Sequence, residues 1–310
     1  MEKVKIVSIV GPTASGKTSL SIAVAKEFNG EIISADSMQI YKEMNIATAK
    51  PTPDEMCGVT HHLMDFVNPE DEYSVANFVE DAKQVINEIT SRGKLPILVG
   101  GTGLYVDSLL KNIQFTEYKV DVQLRKKLLE KTSDELLKKL YEVDRESYEK
   151  LSIEKNHKRI ARALEIYFQT GKPKSLVDKE ALAAESPYSP IKIGLNASKR
   201  EYLYEKINKR VDIMAENGLL DEAKKILSLN LSPTASKAIG YKEFIPYFEN
   251  RDTLENCKEL LKRETRRYAK RQLTWFKRDK QINWLYIDEI NEREIQKRAF
   301  EIISKGLNNG

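Results

Sequence analysis

Over its first hundred residues the chain alternates short apolar runs with longer stretches whose apolar residues recur at helical spacing. Residues 4–10, VKIVSIV, are a β-branched run stopping at Gly11, with the length and composition of a buried strand. Residues 18–28 place Leu20, Val24 and Phe28 at i, i+4 and i+8, which predicts a helix. Residues 31–36, EIISAD, read as a second strand ending in a carboxylate. Ser74 is positioned to cap a helix over 74–89, where Val75, Phe78, Val79, Ala82, Ile86 and Ile89 share a face. Residues 95–99, LPILV, form a third strand closed by Gly100 and Gly101. Strand–helix alternation of this kind predicts an α/β fold on a parallel sheet.

From about Glu117 to Tyr188 the pattern changes. Lys, Glu, Leu and Arg dominate and no strand-like run occurs. DVQLRKKLLEK, SDELLKKLYEV and HKRIARALEIYFQ read as charged amphipathic helices, the last ended by Gly171 with Pro173 beyond. Residues 174–188 read as a polar connector. IKIGL (191–195) and NWLYID (283–288) then resume the strand pattern. The expected organisation is a core over 1–116 and 189–310, interrupted by an all-helical insertion over 117–188, with the final NNG frayed.

Composition narrows the class. Of 310 residues, 41% are apolar and 32% charged, enough apolar material to exclude wholesale disorder. The only cysteines, Cys57 and Cys257, lie far apart, so a disulfide framework and a Cys-cluster zinc site are excluded. Adjacent His61 and His62 have no further Cys or His at ligand spacing and read as hydrogen-bonded rather than metal-binding. The apolar run Ile6–Val10 is too short for a signal peptide, and nothing approaches a membrane span. A cytoplasmic protein is expected.

Residues 11–18, GPTASGKT, match G-x-x-x-x-G-K-[ST] between a strand and a helix. Gly11 and Gly16 let the backbone curl so that the N–H groups of the loop, including those of Thr13, Ala14 and Ser15 beyond Pro12, can turn toward phosphate oxygens. Lys17 supplies a point charge, the Thr18 hydroxyl can ligate Mg²⁺, and the helix adds its positive N-terminus. The fold expected is therefore a P-loop NTPase-like parallel sheet with an inserted helical domain. Ligands sit beyond the carboxyl ends of strands in such sheets, so Asp36 should share a crevice with the loop. There it could accept a proton or hold a magnesium-bound water.

The blocks GPTASGKT, EIISADSMQIYKEMNIATAKP, HHLMDF, YSVANF, RGKLPILVGGTGLY, KAIGYKEF (237–244) and TRRYAKRQLTWFKRD (265–279) occur in order. Together they resemble the tRNA dimethylallyltransferase (tRNA isopentenyltransferase) family, bacterial type, from Ile6 to about Trp284. The resemblance implies transfer of a dimethylallyl group from dimethylallyl diphosphate to N6 of adenosine 37 in the anticodon stem-loop of tRNA, by a monomer using Mg²⁺. It implies that the loop grips the diphosphate of an allylic donor; ATP binding would be nominal. Asp36 would be the base, Thr13 would lie near the bridging oxygen, and Arg210 would reach the diphosphate as a bidentate guanidinium. Asp36, Ser37, Met38 and Gln39 would contact the target nucleotide, Met38 standing where many members have Arg. Thr102, Arg125, Arg159 and Arg162 match tRNA-contacting positions, with the insertion clasping the anticodon arm. So does the segment Lys237, Gly240, Tyr241 and Lys242, where some members have Arg in place of Lys237. The base must be flipped out to react.

Net charge, +4, looks indifferent to nucleic acid. Residues 258–280, however, carry ten Lys or Arg against three Asp or Glu, which leaves the rest of the chain slightly acidic. As a helix this segment would set Arg263, Arg267, Lys270, Arg271, Lys277 and Arg278 along one broad side, with Tyr268, Leu273, Trp275 and Phe276 available for packing or stacking. Arg267 and Arg271 are the expected phosphate contacts. Two rivals share parts of the pattern. A small-molecule kinase has the same loop and an acidic second strand, but no need of the basic helix or KAIGYK. A non-catalytic RNA-binding protein would have no reason to keep Lys17, Thr18 and Asp36 together.

Overall fold

The computed structural model describes residues 3–115 and 121–308. Six strands, β1 (Val4–Val10), β2 (Gly30–Ser34), β3 (His61–His62), β4 (Leu95–Gly100), β5 (Tyr188–Asn196) and β6 (Asn283–Tyr286), form one sheet in the order β3-β2-β4-β1-β5-β6. Every pairing is parallel. The central place of β1 explains why its sequence is mostly β-branched and apolar on both faces. Ile6 and Val10 face one core and Val7 and Ile9 the other, all at most 1% exposed. Helices cover both faces. Val75–Ser91 packs Phe78, Ala82, Ile86 and Ile89 inward and begins with a reciprocal Ser74–Asn77 cap. Glu292–Asn308 buries Ile295, Ala299 and Ile303 on the opposite face. Of the final NNG, expected to fray, Asn308 is the last residue of this helix, and Asn309 and Gly310 lie outside the described residues.

The chain divides into two compact units, residues 1–110 with 187–310, and residues 111–186. The second contains the helices Val122–Leu129, Ser133–Val143, Arg145–Glu154, His157–Thr170 and Lys174–Ala181. The first four close over a small core of Leu128, Leu136, Leu140, Leu151, Ile160 and Leu164. The expected boundary at 116/117 lies outside the described residues. Residues 174–181 are helical rather than the open connector expected. The reason is remote in sequence: Asp144, 5% exposed, caps Arg145–Glu154 through the Ser147 N–H and also accepts the Ser175 N–H.

Glu31 ties the sheet edge together. It is 4% exposed in β2 and accepts from His62 Nε2 in β3 at 2.7 Å, Arg92 Nη2 at 2.6 Å and Lys94 Nζ at 2.7 Å. His61 points elsewhere, its Nδ1 2.9 Å from the Val59 carbonyl. Burial alone would raise the Glu31 pKa, but the hydrogen bonds from Lys94, His62 and Arg92 outweigh it and bring it to about 2. A depressed carboxylate contributes stability that is complete above its unfolded value and lost as pH falls through the folded one. Glu31→Gln should therefore cost about 2 kcal/mol at pH 7, discounted for the half-exposed cations. The gap should narrow below pH ~4.5 and close toward pH 2. Denaturant unfolding of both proteins at pH 7 and pH 3.5 measures it.

Candidate active site

At the carboxyl end of β1 the chain enters the phosphate loop and leaves it as the helix Lys17–Glu27. Gly11 is required by packing: a Cβ there would lie 2.4 Å from the Leu195 carbonyl of β5. Lys17 Nζ donates to the Pro12 carbonyl at 2.8 Å, so the lysine folds back over its own loop. Burial lowers its pKa to about 8; neighbouring Asp36 pulls it up and Arg210 pushes it further down. Arg210, on the helix Arg200–Glu216, places Nη1 3.4 Å from Thr13 Oγ1. Its own pKa is lowered by burial, with Asp36 acting in opposition. Two cations thus face one carboxylate across the loop.

Strand β2 ends at Ser34, two residues before Asp36, so the carboxylate stands on a turn rather than on the strand. Its Oδ1 accepts the Met38 N–H at 2.9 Å, an Asx-type turn that fixes the carboxylate. The Ser37 N–H donates to Thr102 Oγ1 at 3.0 Å, and the Thr102 hydroxyl donates to Ser37 Oγ at 3.2 Å. Gln39 Nε2 donates to the carbonyls of Thr48 and Ala49, pinning the following loop. That loop is held from below by Glu222, which accepts the N–H groups of Asn45, Ile46 and Ala47 and the Tyr241 hydroxyl. Gly240 lies against Ala47 and donates its N–H to Glu243 Oε2 at 2.8 Å.

These elements enclose a cavity of about 370 Å³. Thr13, Lys17, Thr18 and Arg210 line one end, with Asp36, Ser37, Met38 and Gln39 beside them. Ile207, Val211 and Met214, on the same helix as Arg210, join Leu261 as an apolar wall. Lys237, Gly240 and Lys242 line it from the 237–242 segment, and Arg271 from the basic helix. The remaining loop residues, Gly11, Pro12, Ala14, Ser15 and Gly16, serve as backbone around the lysine. An anion can be gripped at one end, a small apolar group can lie along the wall, and Asp36 can take a proton between them. Thr18 and Asp36 offer hard oxygen donors to the same space, a set that suits Mg²⁺ shared with phosphate oxygens. No group of three His, Cys, Asp or Glu side chains able to hold a metal occurs among the described residues.

A family model described as IPP transferase matches residues 39–279. The chain belongs to that family. It is 46% identical over 313 residues to a tRNA dimethylallyltransferase of a Thermoanaerobacter species, covering 98% of this chain and 99% of the relative. It is 48% identical over 295 residues to one from Bacillus cereus, with 93% and 92% covered. Among solved structures it resembles a full-length tRNA isopentenylpyrophosphate transferase from Bacillus halodurans, with TM-score 0.73, 41% identity and 98% of each chain covered. A eukaryotic dimethylallyltransferase described as acting on tRNA superposes with TM-score 0.83 at 32% identity, covering 97% of this chain and 80% of the other. The α/β core with its parallel sheet is the P-loop NTPase-like fold of this family.

Other residues singled out from the sequence have different surroundings. Thr102 does not line the cavity; it positions Ser37. Tyr241 is 2% exposed and turned to Glu222. The basic helix spans Leu254–Phe276, so Lys277 and Arg278 fall beyond it instead of extending its side. Arg267 is exposed and paired with Glu264 at 2.6 Å. In the helical unit Arg125 and Arg162 converge on buried Glu165, and Arg159 pairs with Glu154. Residues not anticipated are Gln272, Glu264 and Met214, all lining the cavity beside Tyr268, which was expected only to pack or stack. A stripe of Leu261, Glu264, Thr265, Tyr268, Arg271 and Gln272 was available at helical spacing, but the density of charge around it hid the pattern.

No helix among the described residues is long and apolar enough to cross a membrane. Arg210 tests the anion end. Arg210→Lys keeps the charge but loses the planar fork, and should weaken inorganic diphosphate binding about tenfold; Arg210→Gln should weaken it ~100-fold. Calorimetric titration with diphosphate at pH 7 reads both.

Proposed function

We propose that this protein transfers a dimethylallyl group from dimethylallyl diphosphate to N6 of an adenosine beside the tRNA anticodon, position 37, releasing diphosphate. The observation that carries the reading is the junction within one cavity of an anion-gripping loop, an apolar wall and a carboxylate, in a chain nearly half identical to named tRNA dimethylallyltransferases. Single-stranded loops are where RNA bases can be splayed out and reached. The flipped adenine would enter past Lys237, Lys242 and Arg271 and meet Asp36.

The step balances simply. The C–O bond between the allylic carbon and diphosphate breaks as the bond from N6 to that carbon forms, and the N6 proton passes to Asp36. Adenine N6 is a weak nucleophile because its lone pair is delocalised into the ring, so proton removal must accompany attack. The Met38 N–H holds the Asp36 carboxylate in place. Lys17 and Arg210 would receive the charge that develops on the leaving diphosphate, and the Thr13 hydroxyl, bonded to Arg210, would meet the bridging oxygen. Thr18 would hold Mg²⁺, which when bound neutralises phosphate charge. The exposed side of Leu254–Phe276, with Arg263, Arg267 and Lys270, offers a track for the RNA backbone. We take the protein to act as a cytoplasmic monomer, with Arg125, Arg159 and Arg162 of the helical unit on the anticodon arm.

Incubation with unmodified tRNA and dimethylallyl diphosphate should produce N6-dimethylallyladenosine, detected by nucleoside analysis, with diphosphate release dependent on both substrates. ATP turnover without RNA would instead indicate a small-molecule kinase. Asp36→Ala should lower transfer by ~10²–10⁴-fold with diphosphate affinity little changed. An unaltered rate in that variant would remove Asp36 from the role of base.

A further inference from the structure

Gln272 is 5% exposed, and both ends of its carboxamide are used. Oε1 accepts the Thr13 N–H of the phosphate loop at 2.9 Å, and Nε2 donates to the Gly101 carbonyl at 3.1 Å. The partners are a pure donor and a pure acceptor, so only one orientation of the amide satisfies both. The turn after β4 is shaped around it. A Cβ on Gly101 would fall 2.0 Å from Gln272 Nε2, and one on Gly103 would fall 2.3 Å from Trp275 Cδ1. The helix that presents Arg263, Arg267 and Lys270 outward is therefore seated on the β4 turn by its other face. Through one buried amide it also holds the residue whose hydroxyl meets Arg210.

We propose that Gln272 is a positioning residue for the transfer reaction. It locks Thr13 to the β4 turn, so that the Thr13 hydroxyl is held at the bridging oxygen of the departing diphosphate while RNA sits on the outer side of the same helix. This rests on the transfer reaction proposed above. Gln272 lines the same cavity, and in this proposal it acts through Thr13.

The test is a double-mutant cycle with separate readouts for binding and chemistry. Gln272→Met keeps the volume and removes both hydrogen bonds. It should lower kcat about tenfold or more, with KM for tRNA and the Kd for the anticodon stem-loop within about twofold. Gly101→Ala, which adds one methyl where the amide nitrogen now lies, should reproduce that split. It serves the same purpose if Gln272→Met melts below the assay temperature. In a Thr13→Ala background either change should cost less than about twofold, because the residue it acts through is gone. Equal losses in both backgrounds would overturn the proposal, and so would stem-loop affinity falling in parallel with kcat. A wild-type enzyme that transfers no dimethylallyl group would instead remove the underlying reaction, a separate and visible failure.

Discussion

Two cations confined beside one carboxylate set the terms for everything else in this site. Lys17 and Arg210 repel each other, both are pushed toward their neutral forms by burial, and Asp36 is the carboxylate that opposes this at each. Such an arrangement is costly unless something anionic arrives. The backbone cannot relieve it, because Lys17 already uses the Pro12 carbonyl and the loop's remaining donors are N–H groups. The cluster is therefore a preorganised receptor for concentrated negative charge, and the same preorganisation stabilises a diphosphate as it leaves.

The rest of the core keeps these groups from relaxing. A parallel sheet delivers β1, β2 and β4 to one edge, so loop, carboxylate and Gly-rich turn meet without long connections. Glu222 organises the floor by gathering three consecutive N–H groups and a tyrosine hydroxyl. Gln39 and Gln272 staple separate segments through side chain to backbone bonds, and Glu243 closes its own turn on the Gly240 N–H. Buried polar side chains used in this way restrict geometry more than they add stability, which is what a site needing ordered charges requires.

The readable parts of the sequence were those whose physics is local. The phosphate loop, the capped helix after Ser74 and the apolar runs of β1, β4 and β5 depend on neighbours within one or two turns, and their positions agree with the pattern to within a few residues. What stayed hidden depends on partners far along the chain. Gln272 bonds a residue 259 positions away, and Lys174–Ala181 gains its helical start from Asp144. Glu31 draws two of its three side-chain partners from beyond position 90. Composition misled in one place: a near-neutral total concealed a basic helix, and that helix's charge in turn concealed the stripe it presents to the cavity.

Burial holds the Lys17 ammonium, still largely protonated at pH 7, well below the usual lysine range until an anion reaches the loop. NMR titration of lysine side chains labelled at Cε or Nζ, with Lys17 assigned by comparison with a Lys17→Arg variant, measures it directly. In the free protein Lys17 should titrate near pH 8, and saturating inorganic diphosphate should move that midpoint upward by a unit or more. A Lys17 that titrates at the ordinary lysine value of ~10.4, unchanged by diphosphate, would contradict the account.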